Sequence, residues 1–149
     1  MLRIKDLLEG KGRSIWSIDP GQSVYQAIEM MALKSVGALT VLDDKGTLVG
    51  IISERDYARK VILQGKSSKQ TVVSEIMTRE VVSITEDKKV DECMVLMTNR
   101  RIRHLPVVED KQVTGMISVG DLVKSIISEQ DYKIEQLERY VRGEEAGIQ

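Results

Sequence analysis

The sequence predicts an α+β chain built from two copies of one β-α-β-β-α unit, and three observations carry that prediction. First, the second half overlays the first along its length: Ser17-Ile18 on Ser83-Ile84, Val24 on Val90, Met31 on Met97, Leu39 on Leu105, Val41 on Val107 and Asp44-Lys45 on Asp110-Lys111. Passing over Gly46 keeps the register, so that Gly50, Ile52, Ser53 and Asp56 fall on Gly115, Ile117, Ser118 and Asp121. Self-similarity of this extent marks a duplicated supersecondary unit. Second, the apolar period changes in the same order in both halves, from a short β-prone run to a helical stripe and back to paired runs. Third, each half closes on a glycine-opened apolar run followed by Ser-x-x-Asp, G-I-I-S-E-R-D at residues 50–56 and G-M-I-S-V-G-D at residues 115–121.

Taken in order, residues 1–14 form a lead-in segment whose pattern, Ile4-Lys5-Asp6-Leu7-Leu8, returns as Val73-Ser74-Glu75-Ile76-Met77 ahead of the second copy. Unit 1 spans residues 15–63. Its first run, residues 15–18, reads as a strand stopped by the turn residues Asp19-Pro20-Gly21. Val24, Ala27, Ile28 and Met31 then hold the spacing of a buried helical stripe, with Ser23 and Gln26 as a capping box at its start. Residues 38–42, the charged turn Asp43-Asp44-Lys45-Gly46 and the next apolar run predict a β-hairpin, and Ser53-x-x-Asp56 launches a second helix over residues 55–62. Residues 64–80 are a linker, polar at first and then a short helical turn.

Unit 2, residues 81–127, repeats the plan. Residues 81–84 predict a strand, Val90, Cys93, Met94 and Met97 a helical stripe, and the runs either side of Glu109-Asp110-Lys111 a hairpin. Cys93 is thereby placed in the core. Residues 128–149 predict an amphipathic helix and tail, with Ile134, Leu137 and Val141 on one face and Glu135/Arg139 and Glu138/Arg142 as i,i+4 pairs. Such a helix suggests a partner surface, although packing on its own domain is the commoner outcome. Three short strands per unit with helices on one face leave an open apolar edge, which pairing the units about a pseudo-two-fold axis would close.

Composition narrows the function. The 149 residues suffice for one ordinary domain or two small halves without metals or disulfides. Charged residues make up 30% at a net charge of -1, so no global field attracts nucleic acid or an anionic membrane, and an aromatic content of 3% leaves few stacking platforms for single strands. One cysteine and one histidine argue against a disulfide or a metal cluster and fit a reducing cytoplasm. The charged N-terminus lacks a signal peptide's apolar stretch, and no apolar run approaches the ~20 residues of a membrane span. The expectation is a soluble, cytoplasmic protein.

These residues resemble a known family. The lead-in V-S-E-I-M-T, the Met-rich first helices, R-H-L-P-V-V at residues 103–108 and the two G-h-I-S-x-x-D endings are similar to a tandem pair of cystathionine-β-synthase (CBS) domains, the Bateman module. The run from Glu54 to Lys69 and the helical tail are similar to stand-alone CBS pairs of bacteria and plant mitochondria. The resemblance implies an adenosyl ligand such as AMP, ADP, ATP, NAD or S-adenosylmethionine in the cleft between the units, and a homodimer.

The residues suit that chemistry. A carboxylate accepts hydrogen bonds from both ribose hydroxyls and repels a 2′-phosphate, which makes Asp56 and Asp121 candidates and disfavours NADP. Ser53 and Ser118 stand at helix N-termini, where N–H groups and the dipole favour an anion. The alternative is two capping boxes and nothing more. The resemblance implies that Arg103 and His104 contact phosphate and that Ile18 and Ile84, with their neighbours Ser17 and Ser83, hold adenine. Arg100 and Arg101 could offset a helix dipole instead, and Arg55 and Arg59 could add phosphate contacts or be solvated. Copy one has Gly37 and Ala38 where copy two has Arg103 and His104, so the two sites should differ.

The expected function is a non-catalytic regulatory module that signals energy or redox state to an unidentified partner protein. The alternative is a structural or oligomerisation module with decayed sites. A hydrolytic triad of His104, Ser118 and Asp121 is disfavoured, because copy one has no matching histidine and neither serine sits in a G-x-S-x-G elbow.

Overall fold

The computed structural model describes residues 2–143. In chain order the elements are α1 (Ile4–Lys11), β1 (Ser17–Ile18), α2 (Val24–Lys34), β2 (Ala38–Leu42), β3 (Leu48–Ser53), α3 (Glu54–Tyr57), α4 (Val73–Ile76), α5 (Val90–Arg100), β4 (His104–Glu109), β5 (Gln112–Ser118) and α6 (Val119–Val141). The α3 helix runs directly into a π-helical turn over Ala58–Ile62.

Capping and periodicity act as the sequence implies. Ser23 Oγ accepts from the Gln26 N–H at 3.1 Å while Gln26 Oε1 accepts from the Ser23 N–H at 3.0 Å, which satisfies two orphan donors at the start of α2. The helix buries Val24, Ala27 and Met31 against Leu39, Val41 and Ile52. Its counterpart α5 buries Val90, Cys93 and Met97 against Leu105, Val107 and Ile117. Unit 1 has a three-stranded sheet in the order β1-β2-β3, with β1 parallel and β3 antiparallel to β2. Unit 2 has the β4-β5 hairpin, closed by Asp110 and Lys111 at φ 48° and 66°, the paired left-handed residues of a tight hairpin turn.

The strand expected over residues 81–84 is reduced to one parallel bridge. The Ile84 N–H donates to Pro106 O at 3.1 Å and Val108 N–H to Ile84 O at 2.8 Å. Ile84 occupies the place that β1 takes in unit 1, so the duplication survives in position where it thins in hydrogen bonding.

The lead-in segments cross over. Ile4, Leu7 and Leu8 of α1 lie in the core of unit 2, whereas Val73, Ile76 and Met77 at α4 lie in the core of unit 1. Backbone bonds repeat the exchange: Ile4 N–H donates to Lys88 O at 2.9 Å and Val73 N–H to Gln22 O at 2.8 Å, with Val90 N–H to Leu2 O at 3.1 Å and Val24 N–H to Thr71 O at 2.8 Å. Burying a Leu or Ile side chain contributes about 1.5–3 kcal/mol. Each unit thus completes its core with the segment that precedes the other.

Gly50 and Gly115 are explained by the same exchange. A Cβ on Gly50 would stand 2.6 Å from Met77 Sδ, and one on Gly115 would stand 2.6 Å from Leu8 Cδ2. Only glycine lets the lead-in side chain lie on the strand.

The helix expected to begin at residue 128 is continuous with the one launched by Ser118, and the two form the single 23-residue α6. Leu122 is buried and Ile126 packs on the core of unit 2. From Ile127 onward the apolar face is exposed, at 51% for Ile134 and 64% for Leu137, so this stretch does not pack on its own domain. Glu135 and Arg139 form the expected pair at 2.9 Å. No helix among the described residues is long and apolar enough to cross a membrane.

Candidate functional site

A cavity of about 430 Å³ opens where the two units meet, and both contribute walls. From unit 1 come Gly37, Ile51, Ser53, Glu54, Arg55 and Asp56. Arg101, Ile102, Arg103, His104 and Pro106 face them from unit 2. The third wall is Thr78, Glu80, Val81 and Val82, the chain that leaves α4 after crossing onto unit 1. The crossover therefore builds the cavity as well as the cores.

Asp56 is held from several sides. Its Oδ2 accepts from the Ser53 N–H at 3.0 Å and from Ser53 Oγ at 3.1 Å. Its Oδ1 accepts from Thr78 Oγ at 3.4 Å and lies 3.0 Å from Lys60 Nζ, which also donates to Ile76 O at 2.9 Å. The π turn carries Lys60 to that position, outside the cavity lining, and buries Val61 beside it. With residue exposure of only 9%, the carboxylate is fixed in place at the cavity wall.

Both capping boxes form, so Ser53 and Ser118 alike cap their helices. Ser53 Oγ accepts from the Asp56 N–H at 3.2 Å, and Ser118 Oγ from the Asp121 N–H at 3.2 Å. The first N–H of each helix is also engaged, Glu54 with Gly37 O at 3.1 Å and Val119 with Arg103 O at 2.9 Å. An anion at either helix start must share what these bonds leave.

The basic rim is fixed by backbone geometry. Arg101 ends α5 in the left-handed region at φ 54°, as Ser35 ends α2 at φ 55°. Arg55 reaches across the units, its guanidinium donating to Arg101 O at 3.1 Å. Arg103 and His104 follow at the start of β4. Burial pushes the His104 imidazole below its ordinary value, and Arg103 and Lys11 push the same way against the opposing pull of Asp121. At neutral pH His104 is therefore an uncharged hydrogen-bonding group, and the cationic charge at this rim belongs to the arginines.

Asp121 has a different neighbourhood. Lys11 Nζ lies 2.7 Å from its Oδ2 and donates to Met116 O at 2.8 Å, while the Ser118 N–H donates to Oδ2 at 2.8 Å. Burial works to raise this carboxyl, but the Lys11 ammonium and the Ser118 bonds outweigh it and hold it below the usual carboxylate range. Met116 is the counterpart of Ile51 in unit 1, and Lys11 that of Glu80 after α4, both cavity-lining residues. Lys11 thus bonds Asp121 and the carbonyl of Met116 from the lead-in position that corresponds to Glu80. A groove of about 640 Å³ does reach Asp121, but it runs between α1 and α6 along Leu7, Lys124, Ser125 and Tyr132, with no wall from unit 1.

Of the residues singled out by sequence, Ser53, Arg55, Asp56, Arg103 and His104 line the cavity together, while Ser118, paired with His104 across the hairpin, and Asp121 lie outside its lining. Ile18 and Ile84 are buried in the two cores and Ser83 is exposed, so none of the three lines the cavity. The apolar wall is Val81 and Val82 instead. Thr78, the end of V-S-E-I-M-T, and Glu80 line the cavity too, and their place at the repeated lead-in is the signal for them. No group of His, Cys, Asp and Glu among the described residues could hold a metal ion.

The CBS-domain family model matches residues 4–62 and 73–128, lead-in segments included. The chain belongs to the CBS-domain family. This CBS pair is 42% identical over 149 residues to the mitochondrial CBS domain-containing protein CBSX3 of Arabidopsis thaliana, covering 94% of this chain and 72% of that protein. Among solved structures, a CBS-domain protein from Burkholderia ambifaria matches with a TM-score of 0.83 at 48% identity, over 87% of this chain and 96% of that one. The CBS pair of protein MJ0100, solved in complex with 5′-methylthioadenosine and S-adenosyl-L-methionine, matches with a TM-score of 0.78 at 28% identity, over 87% and 98% of the respective chains.

Proposed function

We propose that this chain is a non-catalytic regulatory module that binds an adenosyl ligand, AMP, ADP, ATP or NAD, and signals energy or redox state to a partner protein. One observation carries the reading: the cavity between the units joins the Asp56 carboxylate on one side to Arg103 and Arg101 on the other, with Val81 and Val82 between. In this arrangement Asp56 takes the ribose hydroxyls, the valines flank the base, and Arg103, with Arg55 or neutral His104, takes phosphate. The adenosine ligands bound by the MJ0100 pair support the choice of ligand class.

We further infer that each chain offers one such site, because the groove at Asp121 has no wall from unit 1 and copy one has Gly37 where copy two has Arg103. The protein works as a homodimer, and its single buried thiol suits the cytoplasm. Thermal-shift screening with AMP, ADP, ATP, NAD, NADP and S-adenosylmethionine tests the reading, in protein stripped of co-purified ligand. A ligand at 100 times its Kd adds about 2.7 kcal/mol of stability. The expected result is stabilisation by at least one ligand with an unmodified 2′-hydroxyl and none by NADP; no shift with any of them overturns the proposal.

A further inference from the structure

We propose that α6 beyond Ile126 is a dimerisation helix that pairs, parallel and in register, with the same stretch of a second copy of this chain. The inference rests on the homodimer reading and names an element that carries it.

Ile127, Ile134 and Val141 recur every seventh residue, and Val123, Gln130 and Leu137 interleave with them. That is the a and d spacing of a coiled-coil seam, with β-branched residues at every a position and Leu137 at one d position, the choice that favours two strands, and the polar Gln130 at another. The seam points outward. Val123 is 40% exposed, Ile127 55% and Val141 83%, whereas Leu122 and Ile126, on the adjoining face, anchor the helix to unit 2. A helix of this length is marginal in water without tertiary cover for its apolar stripe.

Charge selects both the occupant and the direction. In a parallel pair, Lys133 at g stands beside Glu138 at e of the second copy, on both sides of the seam. An antiparallel pair would set Asp131 against Glu138, carboxylate against carboxylate. Within one chain Lys133 lies 3.5 Å from Glu129, an exposed i,i+4 pair weak enough to exchange for the partner.

Sedimentation velocity on the full chain over a concentration series tests the proposal. The wild-type chain is expected to dimerise, and Ile134→Asp with Leu137→Asp to weaken the dimer at least tenfold. Both positions are exposed and outside the two cores, so the melting of the folded units should stay unchanged by circular dichroism. Any loss of helix content should be confined to the uncovered end of α6. Lys133→Glu and Glu138→Lys should each weaken the dimer, and the two together should restore it. Mild oxidation of the Leu137→Cys chain should give a disulfide-linked dimer, with no contribution from Cys93, which is buried with its thiol pushed up to about 11. A dimer that survives the double aspartate substitution, or a Leu137→Cys chain that does not link, overturns this inference and leaves the homodimer reading standing. A wild-type chain that stays monomeric throughout overturns both.

Discussion

Asp56 and Asp121 hold the same post in the two units, three residues into a capped helix, yet they face different surroundings. Asp56 looks into a cavity shared with the other unit, and its lysine, Lys60, comes from its own helix and from outside the cavity lining. Asp121 receives Lys11 from α1, at the position that Glu80 fills beside the cavity. The duplication conserved the fold of the turn, and the crossed lead-ins give it different surroundings. Both carboxylates carry a lysine, but Asp56 lies on the wall of a cavity shared by the units whereas Asp121 is paired across to α1.

The largest effect expected from this contrast is on ligand affinity. Charge-assisted hydrogen bonds contribute about 1.5–3 kcal/mol each. Asp56→Asn should therefore weaken the binding ligand ~tenfold to hundredfold by isothermal titration calorimetry, while Asp121→Asn changes affinity less than about twofold. Equal losses would show that both turns bind.

Next in size is the packing of the two motif glycines. In Gly50→Ala the new Cβ meets Met77 Sδ at 2.6 Å and the backbone O of Thr78 at 3.0 Å, whereas in Gly115→Ala it meets only the Leu8 side chain, at 2.6 Å. A side chain can move aside more cheaply than a carbonyl. Overpacking costs roughly 1–3 kcal/mol, so both variants should unfold at lower urea concentration. Gly50→Ala should lose more and should also weaken ligand binding, because Thr78 lines the cavity. A larger loss at Gly115 would contradict the role given to the Thr78 carbonyl.

A smaller change of opposite sign is expected at Thr40, in the middle of β2. Its hydroxyl is buried with no hydrogen-bond partner, at the position where unit 2 has Pro106. Leaving a buried polar group unsatisfied costs about 1–3 kcal/mol. The near-isosteric Thr40→Val should raise stability by about 1 kcal/mol in urea titrations. A destabilised variant would mean that the hydroxyl has a partner in solution.

The repeat made most of this fold legible in advance. Periodicity alone placed α2, α5 and both hairpins, since each buries a stripe of its own sequence. What escaped was whatever depends on contacts distant in sequence. Nothing in Ile4-Lys5-Asp6-Leu7-Leu8 says that it packs on unit 2, and so neither the Val81-Val82 wall nor the Lys11–Asp121 pair could be inferred. Ile18 and Ile84, candidates through the resemblance, are buried in the two cores and lie outside the cavity lining. Arg103 and Asp56, which both line the cavity, are legible because their chemistry is local to a motif.

The smallest effect bears on why the second site differs. The Lys11 and Asp121 side chains are 39% and 26% exposed, and solvent screening leaves such pairs a net worth of about 0–1 kcal/mol. Lys11→Met should accordingly cost less than about 1 kcal/mol at pH 7. Its clearer signature is in pH dependence. Because the folded Asp121 carboxyl titrates below its ordinary value, the unfolded chain binds more protons in the acid range, and stability falls as pH drops. That contribution is complete above the unfolded value of 3.8 and is lost as pH falls through the lower folded value. Removing the Lys11 ammonium should move the folded value up and flatten this part of the wild-type curve, measured as urea midpoints between about pH 5 and pH 2.5. Ligand affinity at the Asp56 cavity should stay at the wild-type level. An unchanged acid slope would show that the Ser118 bonds, present in both units, hold Asp121 by themselves, and the contrast between the two turns would then rest on the arginines of β4 alone.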